Sequence, residues 1–396
     1  MFLAKRVGLI SPSVTLAITA KVKELKQKGI DVIGFGAGEP DFDTPQHIKK
    51  EAKRAIDEGF TKYTPSSGIK ELKEAISKKF REDNELNYSL SQIIISCGAK
   101  QCLYNAIQVI CEEGDEVILP SPYWVSYPEQ VKLSGATPKI VETRGEDGFK
   151  ISPQTLSNHI TSKTKLLILN SPNNPTGAVY SKDELKAIAE IAIKNKIYVI
   201  SDEIYEKIIY EAKHTSIASL NQKIKNLTIV INGVSKTYSM TGWRIGYAAG
   251  REEIIKAMSN LQSHSTSNPT SFAQKGALEA ISGPQDSVIE MRSEFKKRRD
   301  CMLKKLNQIP GVSCTKPQGA FYLFPNISKL LDRSFNGRKI RSSLDLTDFL
   351  LREARVAVVP GSAFGAESYI RLSYATSMSN IIRGLDRLEE AISKLF

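Results

Sequence analysis

The chain has 396 residues, of which 41% are hydrophobic and 25% charged, with 55 Lys+Arg against 43 Asp+Glu and a net charge of +12. This is ordinary globular composition, and it excludes collagen-like, low-complexity and largely disordered chains. The length suits two or three domains, and no apolar run reaches the ~18 residues of a membrane span, so no membrane partner is expected.

The positive charge is spread along the chain. Its densest cluster, Lys296-Lys297-Arg298-Arg299, falls in a helical pattern and reads as a solvated helix face, so no nucleic-acid partner is expected. The 5 cysteines are odd in number and form no CxxC, which suits a reduced intracellular protein. His47, His159, His214 and His264 have no ligand spacing, and no metal site is expected. Lys5-Arg6 before the apolar stretch 7–20 faintly resembles a leader, but Ser11-Pro12-Ser13 breaks it. The chain is therefore expected to start near Met1, in the cytoplasm.

In chain order, Thr44-Pro45 reads as a helix cap and first position, and Ile48, Ala52, Ala55 and Ile56 form one helical face ending at Gly59. Ile69, Leu72, Ile76 and Phe80 repeat that spacing. Short apolar runs at 93–96, 117–119, 139–141, 166–169, 198–200 and 228–231 read as strands, with helical segments such as 101–111 and 183–195 between them. This alternation predicts an α/β domain with a mostly parallel central sheet. After about residue 285 a long helix (285–308), strands at 321–324, 356–359 and 370–373, and a closing helix (380–395) predict a smaller α+β domain. The expected division is residues 1–44 packing with the small domain, 45–285 as the large domain, and 286–396 as the small one.

Ligands of an open parallel sheet bind at the loops after the strands. Five such loops are chemically rich: Cys97-Gly98-Ala99-Lys100; Pro120-Ser121-Pro122-Tyr123-Trp124; the run 170–177 with Asn174; Ser201-Asp202-Glu203-Ile204-Tyr205; and Asn232-Gly233-Val234-Ser235-Lys236. Each signal is weak alone. Their common position after strands makes them a constellation.

The run 233–246, with Lys236, Arg244 and Gly246, resembles the pyridoxal-phosphate lysine signature of class I/II aminotransferases. Ser171-Pro172-Asn173-Asn174-Pro175-Thr176-Gly177 and Ser201-Asp202-Glu203-Ile204-Tyr205 are its usual companions. Over nearly its whole length the chain is similar to aspartate aminotransferases of the prokaryotic Ib subgroup. The resemblance implies fold type I, pyridoxal 5'-phosphate as cofactor, and a homodimer with shared sites. The implied substrates are amino acids and 2-oxo acids, exchanged in a ping-pong reaction.

The resemblance also implies the residue roles, and physical chemistry says why the types suit them. Lys236 supplies a primary amine, which alone can condense with an aldehyde and then move a proton. Asp202 faces the pyridine nitrogen and keeps it protonated. Tyr205 and Asn174 meet the phenolic oxygen. Gly98, Ala99 and Lys100 open a helix whose free N–H groups suit a phosphate. Arg244 adds a charged contact, and Tyr63 reaches the neighbouring subunit's phosphate. Trp124 stacks on the cofactor ring.

On the substrate side, Arg371 lies in an apolar strand, where a planar anion or an internal acid must accompany it. The resemblance makes that anion the α-carboxylate, lined also by Gly38 and Asn174. In the Ib subgroup the lysine at the position of Lys100 reaches the distal carboxylate of an acidic substrate, helped by hydroxyls that match Ser13 and Thr15. Aspartate and glutamate are thus the expected donors, with 2-oxoglutarate or oxaloacetate as acceptors. The alternatives are a broader, aromatic or prephenate specificity, or a same-fold β-lyase. Ser11 stands where prephenate users often carry a basic residue.

Overall fold

The computed structural model describes residues 3–396. Its strands, in chain order, are β1 (Ile33–Gly34), β2 (Ile93–Ser96), β3 (Glu116–Ser121), β4 (Thr137–Glu142), β5 (Thr164–Asn170), β6 (Tyr198–Asp202), β7 (Thr228–Gly233), β8 (Gly246–Ala249), β9 (Tyr322–Leu323), β10 (Ser334–Phe335), β11 (Arg338–Lys339), β12 (Val356–Ala357), β13 (Val359–Pro360) and β14 (Ile370–Ser373). β2 to β8 form one seven-stranded sheet in the order β2-β8-β7-β6-β5-β3-β4. All run parallel except β8, which is antiparallel to both β2 and β7. The fold is that of an α/β protein of fold type I.

The strands form because their apolar runs are covered on both faces. Along β2, Ile94 packs into one core, while Ile93 and Ile95 pack into another. In β5 the same period of two sends Leu166 and Ile168 one way and Leu167 and Leu169 the other. β8 was not expected from the sequence. It reads Gly246-Tyr247-Ala248-Ala249, with too few β-branched residues to signal a strand. The helix expected to start at Thr44-Pro45 runs Gln46–Asp57, with Pro45 at the cap. The Thr44 hydroxyl is used elsewhere, donating to the Ser239 carbonyl at 2.7 Å and accepting from the Trp243 indole.

A second large core gathers Phe295, Phe321, Tyr322, Leu372, Ile381 and Leu385, together with Ile33 and Phe35 from the N-terminal segment. β1 pairs in parallel with β12, and Asp31 forms ion pairs with Arg383 and Arg387. β9, β13 and β14 form a three-stranded antiparallel sheet beside it.

The basic cluster corrects its sequence reading. Lys296 and Lys297 are exposed, but Arg298 and Arg299 on helix Asp286–Leu306 are buried. Arg298 pairs with Asp41 at 2.7 Å, and Arg299 grips Glu211 with both terminal nitrogens. Half of the presumed solvated face is an internal tie. Among the described residues, no helix is long and apolar enough to cross a membrane.

Candidate active site

The register brings the functional loops to one edge of the large sheet. Asn170 pairs with Asp202 at the ends of β5 and β6, and Gly246 pairs with both Gly233 and Ser96. Because β8 is antiparallel, its start lies at the edge where its neighbours end, and this places Arg244 there. Gly246 must be glycine: an added Cβ would lie 2.1 Å from the Ala99 nitrogen. Loops from this edge, with the N-terminal segment and β14, line a cavity of about 350 Å³.

Lys236, Asp202, Tyr205, Asn174, Ala99, Lys100, Trp124, Arg244, Gly38, Arg371 and Thr15 all line this cavity. Gly98 lies just behind it, with φ 87 and the Arg244 Nη2 atom 2.5 Å from the Cβ it lacks. Any side chain at Gly98 would displace that guanidinium. Ser13 does not line the cavity; it caps helix Val14–Gln27 and pairs with the Thr15 hydroxyl at 3.0 Å. Tyr63 stands apart, 91% exposed.

Lys236 crosses the cavity and donates to the Gly38 carbonyl at 2.5 Å. Burial pulls its pKa down to about 8; the Glu39 carboxylate opposes this, and Arg244 and Arg371 add to it. An amine so poised is available as a base near neutral pH. Asp202 accepts from the Tyr127 hydroxyl at 2.7 Å and from the Ile204 N–H at 3.2 Å. Burial nevertheless raises its pKa to about 6. A buried carboxyl in this condition is stabilised by a cationic N–H placed against it.

Arg371 is 2% exposed. Its Nη1 donates to Asn174 Oδ1 at 2.9 Å and its Nη2 to the Gly36 carbonyl at 2.8 Å. Its guanidinium lies 4.5 Å from the Tyr322 ring centroid and 5.0 Å from that of Phe364. Among the described residues, the Nε proton has no partner. No carboxylate pairs with Arg371 among the described residues, so the internal salt bridge weighed from sequence is not made. Burial lowers its pKa from the usual arginine value. Lys100 lies 4.8 Å from the Trp124 ring centroid, and its pKa is lowered by burial and by Arg244.

Residues 30–388 match the model of the aminotransferase class I and II family. The chain is 56% identical to the aspartate aminotransferase of Bacillus subtilis, over 100% of this chain and 98% of that protein. It is 50% identical to the probable aspartate/prephenate aminotransferase of Aquifex aeolicus, over 99% of each. The crystal structure of the aspartate aminotransferase from Rhizobium meliloti covers 100% of both chains with a TM-score of 0.97 at 42% identity. The chain belongs to the class I and II aminotransferases. It is an enzyme that depends on pyridoxal phosphate.

The aminotransferase cavity fits that cofactor on its own terms. A buried carboxyl short of a cation, a primary amine with a depressed pKa, and a helix N-terminus facing an arginine are the three contacts a pyridine, an aldehyde and a phosphate require. The orphan Nε of Arg371 is a further anion-seeking group in the same space.

Several lining residues were missed from sequence: Tyr127, Tyr322, Thr19, Glu39 and Thr241. Thr19 alone carried a readable signal, lying one helical turn beyond Thr15 with its hydroxyl bonded to the Thr15 carbonyl. Spacing also hid a cluster of Glu203, Glu206 and His214, whose ligand atoms lie within 4.8 Å of one another. Lys79 and Asn84 engage Glu206, while Ser201, Ser216 and His214 engage Glu203. Burial would raise the pKa of Glu206, but Lys79 and His214 outweigh it and bring it to about 2. Lys79 and His214 supply both acids with partners from within the chain.

Proposed function

We propose that this aminotransferase moves the amino group of aspartate or glutamate to 2-oxoglutarate or oxaloacetate. The observation that carries the reading is Arg371, a buried guanidinium that, among the described residues, has a free N–H and no acid of its own. A planar α-carboxylate supplies the missing charge. Lys100, in the same cavity, would meet the second carboxylate of an acidic substrate, with Thr15 lining the same space. The names of the Bacillus and Rhizobium proteins support this choice.

Bound in the cavity, pyridoxal phosphate would supply an aldehyde for the substrate amine and a ring able to withdraw electrons from the substrate Cα. Asp202, oriented by Tyr127 and the Ile204 N–H, holds the proton on the ring nitrogen. Lys236 leaves the Gly38 carbonyl and carries a proton to and from the substrate Cα. Tyr205 and Asn174 would meet the phenolic oxygen, Gly98, Ala99 and Arg244 would hold the phosphate, and Trp124 would pack on the ring.

The reading includes a cytoplasmic homodimer in which the exposed Tyr63 completes the partner's site. It also includes a division into residues 1–44 and 286–396 on one side and 45–285 on the other. A mixture of Tyr63→Ala and Lys236→Ala subunits should regain activity through mixed dimers; no recovery despite subunit exchange would count against sharing.

A screen of amino donors against 2-oxoglutarate tests the substrate choice. Aspartate and glutamate should lead. Preference for aromatic donors or prephenate would replace the acidic assignment, and release of ammonia without an acceptor would point to a β-lyase.

A further inference from the structure

Tyr322 belongs to none of the sequence motifs, yet it is fully buried and lines the cavity. It lies on β9, where it pairs with Ser373 of β14, the strand that carries Arg371. Its two ends meet different parts of the site. The ring lies against the Arg371 guanidinium, 4.5 Å from the ring centroid. The hydroxyl is 2.8 Å from the Tyr205 hydroxyl, and 3.3 Å from where a Cβ on Gly38 would stand. Among the described residues, neither hydroxyl has another hydrogen-bond partner.

We infer that Tyr322 is a positioning residue that couples the carboxylate end of the site to the cofactor end. Its ring sets the plane of Arg371, and its hydroxyl sets the direction of the Tyr205 proton. The inference rests on the proposed meeting of Tyr205 with the cofactor's phenolic oxygen. Two phenols sharing one hydrogen bond use one of their two protons, so one remains free. With an anionic oxygen before it, Tyr205 donates its proton there and accepts from Tyr322. The second bond polarises the first and strengthens it. Burial raises the pKa of Tyr322, but the Arg371 charge pulls the other way and makes its hydroxyl the better donor.

The test is a pH titration of the visible absorbance of the cofactor-loaded enzyme, together with KM for its best amino donor. Tyr322→Phe keeps the ring and removes the hydroxyl. It should raise the titration midpoint by about half to one pH unit, the worth of one hydrogen bond, and leave KM within about twofold. Tyr322→Leu also removes the ring and should raise KM by about tenfold. Tyr205→Phe should shift the midpoint by itself, and adding Tyr322→Phe to it should change nothing further.

An unmoved midpoint in Tyr205→Phe would sink the proposed role of Tyr205 and the coupling with it. A shift in Tyr205→Phe without one in Tyr322→Phe, or effects that simply add, would overturn the coupling alone. An unchanged KM in Tyr322→Leu would overturn the part assigned to the ring.

Discussion

Arg299 and Arg371 are buried to nearly the same depth, 0% and 2% exposed, but their surroundings differ in kind. Arg299 holds Glu211 at 2.6 and 2.7 Å, Asp300 at 2.9 Å and the Pro317 carbonyl at 3.0 Å, and its guanidinium covers the Tyr210 ring. Burial alone would lower its pKa, but the two acids outweigh burial and raise it. Arg371 has amide and carbonyl oxygens, two aromatic rings and an orphan Nε, and burial lowers its pKa against only the weaker opposing pull of the Tyr322 and Tyr205 phenols. One arginine carries its counter-charge within the chain and ties the long helix to the loop after β6. The other waits for a carboxylate from outside. Burial alone therefore does not mark a functional cation; the absence of an internal acid does.

The largest expected effect follows directly. Arg371→Leu should lower kcat/KM by about two to four orders of magnitude, the loss of two charge-assisted hydrogen bonds, with the melting temperature little changed. Steady-state kinetics and thermal unfolding check it together. Arg299→Leu should do the reverse. It should melt several degrees lower, because Glu211 and Asp300 lose their partner, while kcat/KM stays within about threefold. Equal behaviour of the two variants would erase the distinction.

Lys100→Ala sharpens the comparison at the far end of the cavity. Efficiency with aspartate should fall by about ten- to a hundredfold, near ~1.5–3 kcal/mol, and that with alanine or phenylalanine by less. Equal losses would assign Lys100 to the phosphate cradle or to packing.

The smallest effect concerns stability. Asp202 has a folded pKa of about 6, above its ordinary value of 3.8. Its contribution is fully present below pH 3.8 and is lost as pH rises through 6. Asp202→Asn removes that loss. The cofactor-free variant should therefore melt a few degrees above the parent at pH 8 and equal to it near pH 4, while binding the cofactor more weakly. A gap independent of pH would show that the carboxyl is not the cause.

Much of this was legible in the sequence, for local reasons. Ile93–Ser96 and Thr228–Gly233 are apolar runs that only a doubly covered strand accommodates, and the polar residues after them mark the edge where ligands bind. Arg371 stood out because a charge inside Ile370–Ser373 needs a reason. What stayed hidden depends on contacts between distant segments. Tyr127 meets Asp202 across 75 positions, and Tyr322 meets Tyr205 across 117. A tyrosine in an apolar run looks the same whether it fills a core or faces a cavity. Arg298 and Arg299 were misread because two of their acids, Asp41 and Glu211, come from elsewhere in the chain. Ser13 reads equally as a substrate hydroxyl and as a helix cap, and the structure uses it as a cap.

The central claim is that the five strand-end loops hold the cofactor through Lys236. Borohydride reduction of the yellow, cofactor-loaded enzyme followed by peptide mass spectrometry tests it most directly. The cofactor mass is expected on the peptide carrying Lys236, with Lys236→Ala unlabelled there and without turnover. Stoichiometric labelling of another lysine, or normal turnover in Lys236→Ala, would contradict the account.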